Sequence, residues 1–266
     1  MAFSLHSAAI AYTRHVSDAS LDFGYPWWLN YGHLLLFIVL LAAVLAARAL
    51  HAARWVIVPL AALSIWAGSV ALLVHFFGIN QLPLLPTQAF LESGTGRVLD
   101  LGAGTGRSSI MVLAERPQAT LVASDLFGTS FAQHFGPGER PQDRLLANLK
   151  AAGVDGRVTI ETADMLKLPF DDQAFDAIVS AYAMDHLGRN GARTALAESH
   201  RVLKPGGDFL LILVANDGWA KLAFGPLLSH GGTYGAAWWR ESATTAGFVV
   251  REEGTRPVTT YLLLTR

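Results

Sequence analysis

Two uninterrupted apolar runs near the amino terminus constrain this chain more than any other feature. Residues 31–50 read YGHLLLFIVLLAAVLAARAL, with no polar side chain from Leu34 to Ala47. Residues 55–77 read WVIVPLAALSIWAGSVALLVHFF, without one Asp, Glu, Lys or Arg. About 20 helical residues cross a hydrocarbon core about 30 Å thick, so each run has the length of a membrane span. Only His51, Ala52, Ala53 and Arg54 separate the two. So short a link predicts an antiparallel hairpin whose helices satisfy their own backbone hydrogen bonds. Pro59 stands near the start of the second run, where a missing N–H costs little. Tyr25, Trp27, Trp28 and Tyr31 cluster before the first, as aromatic side chains do at a bilayer interface. The first run begins only at Tyr31 and a second follows at once, which argues against a cleaved signal peptide.

Such a hairpin accounts for a composition that is 52% hydrophobic and 15% charged, where a soluble domain carries about 25% charged residues. The net charge is −1, and Lys150, Lys167, Lys204 and Lys221 are scattered, so nucleic acid is not an expected partner. With no cysteine, disulfides, thiolate metal sites and a cysteine nucleophile are excluded, and no metal site is expected. The chain divides into an interfacial segment or lid at 1–30, the hairpin at 31–77, a linker at 78–93 that contains Pro83 and Pro86, and a folded domain at 94–266.

That domain alternates strands and helices. In RVLDLGAGTGRSSIMVLAE a short apolar run meets a glycine-rich turn and then a helical pattern, with Gly102, Gly104 and Gly106 free to turn tightly and approach a ligand. A helix opening at about Arg107 would aim unpaired N–H groups into the same cleft. The next strand, TLVASD, ends at Asp125, nineteen positions after Gly106, where an acid can accept hydrogen bonds from ribose hydroxyls. A third strand leads to Asp164 and Met165, a fourth ends near Ser180, and a helix over 193–203 runs into KPGG and the strand DFLLILV. Two more apolar runs at the carboxyl end close the sheet. The expected fold is α/β, a doubly wound parallel sheet with helices on both faces, preceded by the two-helix transmembrane hairpin.

DLGAGTG at 100–106, Asp125, the pair Asp164 and Met165, and RVLKPGG at 201–207 together resemble the class I S-adenosylmethionine-dependent methyltransferases, especially the small-molecule and quinone-biosynthesis branch. The likeness covers about residues 94–266 and implies a Rossmann-like sheet. It also implies S-adenosylmethionine as cofactor, with S-adenosylhomocysteine as product. In that family the positions of Gly102 to Gly106 hold the methionine part of the cofactor, that of Asp125 the ribose, and those of Asp164 and Met165 flank the adenine. The resemblance thus assigns Asp100, Gly102, Ala103, Gly104, Gly106, Asp125, Leu126, Asp164, Met165 and Ser180 to the cofactor site. The hairpin lies outside the common family pattern.

The acceptor side is read from residues alone. In SAYAMDHLGRN, beyond the fourth strand, Tyr182, Asp185 and His186 stand at the sheet edge where this fold binds ligands, with His186 the best candidate base and Asp185 its partner. Tyr182, Trp219, His230, Tyr234 and Trp238 are the candidate substrate-binding residues, able to wall an apolar cavity or to meet a membrane surface. A tethered catalytic domain gains most from a substrate in the bilayer, so the expected partners are the bilayer itself and a hydrophobic small molecule: a lipid, a quinone or isoprenoid precursor, or an apolar thiol or amine. A homo-oligomer is left open. Arg48 and Arg54 at the hairpin turn pull that turn towards the cytoplasm. The cytosolic cofactor outweighs so small a bias, and the expected location is the plasma or inner membrane with the catalytic domain cytoplasmic. Two rival classes remain: a noncatalytic cofactor-binding membrane protein, and a nicotinamide-dependent oxidoreductase, whose fingerprint would be G-x-G-x-x-G.

Overall fold

The computed structural model describes residues 21–25, 27–76, 82–128, 141–216, 218, 221, 234–256 and 259–266. The chain divides into two compact units, Gly24–Gln81 and Met1–Phe23 with Leu82–Arg266.

The first unit is a helical hairpin of α1 (Trp27–Ala49) and α2 (Arg54–Phe76), 23 residues each. Both have mean hydropathy 2.2 and are long and apolar enough to cross a membrane. At 1.5 Å per residue each extends about 34 Å. The helices meet through small and aromatic residues: a Cβ on Gly68 would lie 2.9 Å from the Phe37 ring, and His33 stacks edge-on to Trp66 at 5.7 Å. Leu35, Ile38, Val39, Leu45, Val58, Ile65 and Leu72 are exposed. An exposed face of that kind suits hydrocarbon and not water. Pro59 lies inside α2, past the four N–H groups that have no intrahelical partner in any helix, so it removes one hydrogen bond, the one to the Trp55 carbonyl.

The second unit is built on one sheet. Its strands are β1 (Thr95–Leu101), β2 (Gln118–Asp125), β3 (Val158–Thr162), β4 (Phe175–Ala181), β5 (Leu203–Val214), β6 (Val249–Arg256) and β7 (Thr259–Thr265), in the order β3-β2-β1-β4-β5-β7-β6. The first five pair in parallel, and β7 runs antiparallel between β5 and β6. The helices are α3 (Arg107–Glu115), α4 (Pro141–Ala151), α5 (Gly188–Val202) and α6 (Ala236–Thr245). Along β1 the two faces separate. Leu99 and Leu101 join a buried cluster with Ala195 and Leu196 of α5 and Trp239 of α6, whereas Asp100 turns to the serines of α3. Strands covered on both faces are mainly apolar where they are buried, as β1, β4 and β5 are, with Asp100, Ser180 and Asp208 as buried polar exceptions. From β1 the chain winds outward through β2 and β3, and β4 then returns to the other side of β1. The carboxyl ends of β1 and β4 therefore flank the point where ligands bind in open α/β sheets.

Residues 82–93, expected as part of a linker, are packed onto this unit. Leu85, Phe90 and Leu91 are buried, Arg116 donates to the carbonyls of Gln88 and Phe90, and the Leu91 N–H donates to Asp208. The proline and glycine content rightly excludes a helix or strand, but the apolar side chains between them bury as irregular chain, a distinction composition does not make. Residues 21–23 likewise belong to this unit rather than to the hairpin.

Of the two glycines of KPGG, Gly206 is set by its positive φ of 76° and Gly207 by steric room. A Cβ on Gly207 would lie 2.8 Å from the Asp176 carbonyl oxygen and 2.9 Å from that of Lys204, both fixed backbone atoms. Gly207→Ala therefore forces the β4–β5 pairing apart and should lower stability by about 1–3 kcal/mol. Thermal unfolding of the detergent-purified protein would read this as a lower Tm, and an unchanged Tm would refute the steric account.

Candidate active site

The glycine-rich loop leaves β1 and doubles under β2, with the N–H groups of Gly102 and Ala103 both donating to the Ser124 carbonyl. Gly102, Gly104 and Gly106 all have positive φ (76°, 53° and 91°). At Gly102 the requirement is also spatial: a Cβ would lie 2.3 Å from the Ala183 Cβ and 3.3 Å from the Met165 Cε. That one residue thus brings together the loop after β1, the loop after β3 and the turn after β4. Gly106 caps α3 without a side-chain hydrogen bond. The first turn of α3 instead faces the Asp100 carboxylate, which takes the Ser109 N–H besides the hydroxyls of Ser108 and Ser109.

Asp100 is fully buried behind this loop, where Ser108 Oγ and Ser109 Oγ donate to its carboxylate at 2.6–2.9 Å. Burial pushes its pKa up to about 6 against the pull of the two hydroxyls. It braces β1 against α3. Ser180 is equally buried and donates to the Leu101 carbonyl, tying β4 to β1. Both were expected as cofactor ligands; both instead support the residues in front of them, because each inward-facing polar group needs a protein partner. Asp125 stands at the tip of β2, half-buried, with Oδ2 accepting from the Gly104 N–H at 3.0 Å and Oδ1 from the Phe127 N–H at 2.9 Å. Each oxygen retains a lone pair for a further donor. Leu126 follows it, exposed. Asp164 is exposed and accepts from the Leu166 N–H, and half-buried Met165 reaches back to Gly102.

Beyond β4 the chain turns abruptly. Tyr182 has φ +55°, strained for an aromatic residue, and its hydroxyl pairs with Thr259 Oγ1 at 2.8 Å. A short 3-10 turn, Met184–His186, then buries Asp185 and leaves His186 exposed. Asp185 Oδ2 accepts from the Val214 N–H at the end of β5, while Oδ1, also buried, has no hydrogen-bond partner. Burial pushes this carboxyl up to about 7. A buried acceptor left unpaired costs about 1–3 kcal/mol and calls for an explanation. The sequence reading gave His186 the leading role and Asp185 the supporting one. The structure places Asp185 inside the edge of the sheet and His186 on its rim.

Tyr234 and Trp238 stack at 4.3 Å, Trp238 meets Trp239 edge-on at 4.9 Å, and Arg189 and Arg193 of α5 lie over Tyr234 and Trp238. The indole N–H groups of Trp238 and Trp239 are buried without a partner. Trp219 and His230 lie outside the described residues. The sequence reading missed Ala183 and Asn148. Alanine carries no chemical signal, and Asn148 shows only as a polar residue on an apolar helix face.

A glycine-rich loop with no room for a side chain at Gly102 and an acid at the tip of β2 with lone pairs to spare fit a cofactor that carries a ribose. The fold and this arrangement are similar to those of a class I S-adenosylmethionine-dependent methyltransferase domain. Residues 99–211 match the methyltransferase domain family. Among curated relatives, the demethylmenaquinone methyltransferase of Deinococcus radiodurans is 36% identical over 118 residues, 44% of this chain and 42% of that protein. The ubiquinone/menaquinone biosynthesis C-methyltransferase of a Geobacter species is 29% identical over 120 residues, 45% of this chain and 46% of that protein. The chain thus spans less than half the length of these relatives. An O-methyltransferase family protein from Burkholderia thailandensis shares the fold, with TM-score 0.55 and 20% identity over 76% of this chain and 58% of its own. So does an O-methyltransferase family 2 protein from Planctomyces limnophilus, with TM-score 0.55 and 19% identity over 74% and 61%.

Because Gly102 has no space for a methyl group, Gly102→Ala should weaken S-adenosylmethionine binding by about 100-fold, or about 2.7 kcal/mol. Calorimetric titration of the purified protein checks it, and wild-type affinity in this variant would mean that the cofactor does not lie on the loop.

Proposed function

We propose that this protein is an integral membrane methyltransferase that transfers the methyl group of S-adenosylmethionine to a hydrophobic, membrane-partitioned acceptor bearing an ionisable hydroxyl, of the quinol type. The observation that carries this reading is the presence, in one chain, of a methyltransferase domain and two membrane-length apolar helices. Relatives named for demethylmenaquinone and for ubiquinone/menaquinone biosynthesis support a quinone-type acceptor. The bilayer is then both anchor and substrate reservoir, with the catalytic domain on the cytoplasmic side, where the cofactor is made. Arg48 and Arg54 at the hairpin turn pull the other way.

The cofactor supplies an electrophilic methyl group on a sulfonium. For the protein, the remaining work is alignment and removal of one proton. The acceptor nucleophile forms the new bond to the methyl carbon as the sulfur–carbon bond breaks, and the acceptor proton passes to Asp185 Oδ1. The Val214 N–H holds the other carboxylate oxygen in place. A group with pKa about 7 is well matched to that task near neutral pH. Tyr234 and Trp238, stacked and half-buried, supply an apolar wall for the acceptor. His186, on the rim, relays the proton to solvent.

Only the ionised form of Asp185 can accept a proton. Its folded pKa lies above the ordinary 3.8, so the rate should rise as pH climbs towards about 7 and level off above it. Asp185→Asn keeps an acceptor for the Val214 N–H but cannot take a proton. It should lower kcat by about 100-fold or more and abolish the rising limb. A variant that retains the wild-type pH profile would remove Asp185 from the chemistry.

The acceptor class is tested with detergent-purified protein, methyl-labelled S-adenosylmethionine and extracted host membranes. Label should partition into the organic phase; label confined to a water-soluble product would overturn the hydrophobic acceptor.

A further inference from the structure

Asn148 stands on the buried stripe of α4, three residues after Leu145 and next to Leu149, positions that share one helix face. That face backs the glycine-rich loop: a Cβ on Gly106 would lie 2.7 Å from Leu145 Cδ1 and 3.7 Å from Leu149 Cδ2. A polar side chain on such a stripe is costly unless it is bonded. Asn148, 2% exposed, is bonded on every side. Its Nδ2 group donates to the Asp22 carbonyl at 2.8 Å and to the Thr105 carbonyl at 2.9 Å, and its Oδ1 accepts from the Asp22 N–H at 2.9 Å. The amide thus pairs with both backbone groups of Asp22, as a neighbouring strand would, and with the loop residue just before the cap of α3. Thr105 Oγ1 completes the junction by donating to the Phe23 carbonyl at 3.2 Å. Leu21 and Phe23, on either side of Asp22, are buried. Only residues 24–26 separate this segment from the first apolar helix.

We infer that Asn148 is a positioning residue for the cofactor site. It holds residues 21–23 against the glycine-rich loop, so that the loop's shape, and with it the affinity for S-adenosylmethionine, depends on a segment continuous with the membrane hairpin. The inference rests on the cofactor reading above. Its physical content is a coupling: the segment docks by hydrogen bonds to Asn148 and Thr105, and those same bonds fix the carbonyl and hydroxyl of Thr105 while its neighbours face the ligand. Coupling between two binding events is reciprocal. If the docked segment raises cofactor affinity, the cofactor must stabilise the docked segment by the same factor.

Two measurements on the full-length, detergent-purified protein test this. In wild type, saturating S-adenosylmethionine should slow amide hydrogen exchange at Asp22 and Phe23. Asn148→Leu, similar in shape but unable to bond the Asp22 and Thr105 backbones, should raise the Kd for S-adenosylmethionine by about tenfold and lose the ligand-dependent slowing. A merely structural role would lower the folded fraction without changing the Kd of the molecules that bind. Wild type that binds the cofactor with no change in exchange over residues 21–23 overturns the inference and leaves the cofactor reading standing. So does a folded Asn148→Leu with wild-type Kd. If that variant does not fold, the wild-type exchange result decides alone. Wild type that does not bind S-adenosylmethionine overturns the cofactor reading and this inference together.

Discussion

The approach of the Gly102 backbone to Ala183, too close to admit even a methyl group, is the constraint on which the second unit depends. It occurs where β1 and β4 lie side by side but their chains depart in opposite directions, and a crevice opens only there. Ser180 bonds the Leu101 carbonyl and Asp100 grips the serines of α3, so strands and helix are locked just behind the contact. Met165 arrives from the loop after β3 and closes it from the third side. The loop is therefore held in one shape without ligand, its N–H groups at Gly102, Ala103 and Gly104 bonded to Ser124 and Asp125, and preorganisation of that kind lowers the ordering cost of binding.

Among its described residues the same unit buries three carboxylates and gives each a different role through its partners. Asp100 is wrapped by two hydroxyls and acts as a strut. Asp208 accepts from Arg251 and from the Leu91 N–H, holding the chain that enters β1. Asp185 alone has one oxygen held and one buried without a partner. A charge in low dielectric must be paired or give up its ionisation. The half-paired carboxyl, pushed up further than that of Asp100, is consequently the one with an oxygen left to exchange a proton with a ligand.

The hairpin's helices pack through Gly68 against Phe37 and through His33 against Trp66 and leave leucine, isoleucine and valine facing outward, and both are long and apolar enough to cross a membrane. The aromatic residues at the start of α1, Trp27 and Trp28, are exposed with them.

Much of this was legible in the sequence because it depends on short-range chemistry. Apolar runs of fixed length give helices of fixed length. Glycines at 102, 104 and 106 give a turn that only glycine adopts easily, and an acid at the end of an apolar run falls at a strand tip. The alternation of strands and helices, the two closing strands and the positions of Asp125 and Met165 follow from such local signals taken in sequence, whereas the strand order and the antiparallel course of β7 appear only in the folded sheet. What the sequence could not supply were contacts between distant segments. Asp100 and Ser180 looked like ligands until the strands were stacked, and residues 82–93 looked like a linker until Arg116 and Asp208 were found holding them. The relative burial of Asp185 and His186, adjacent in the chain, was decided by where β5 ends, since only the Val214 N–H draws one of them inward. Sequence by itself determined the two apolar helices, the fold class and the glycine-rich loop; tertiary structure decided which polar groups are buried and which stay accessible, because burial depends on neighbours that the chain brings from elsewhere.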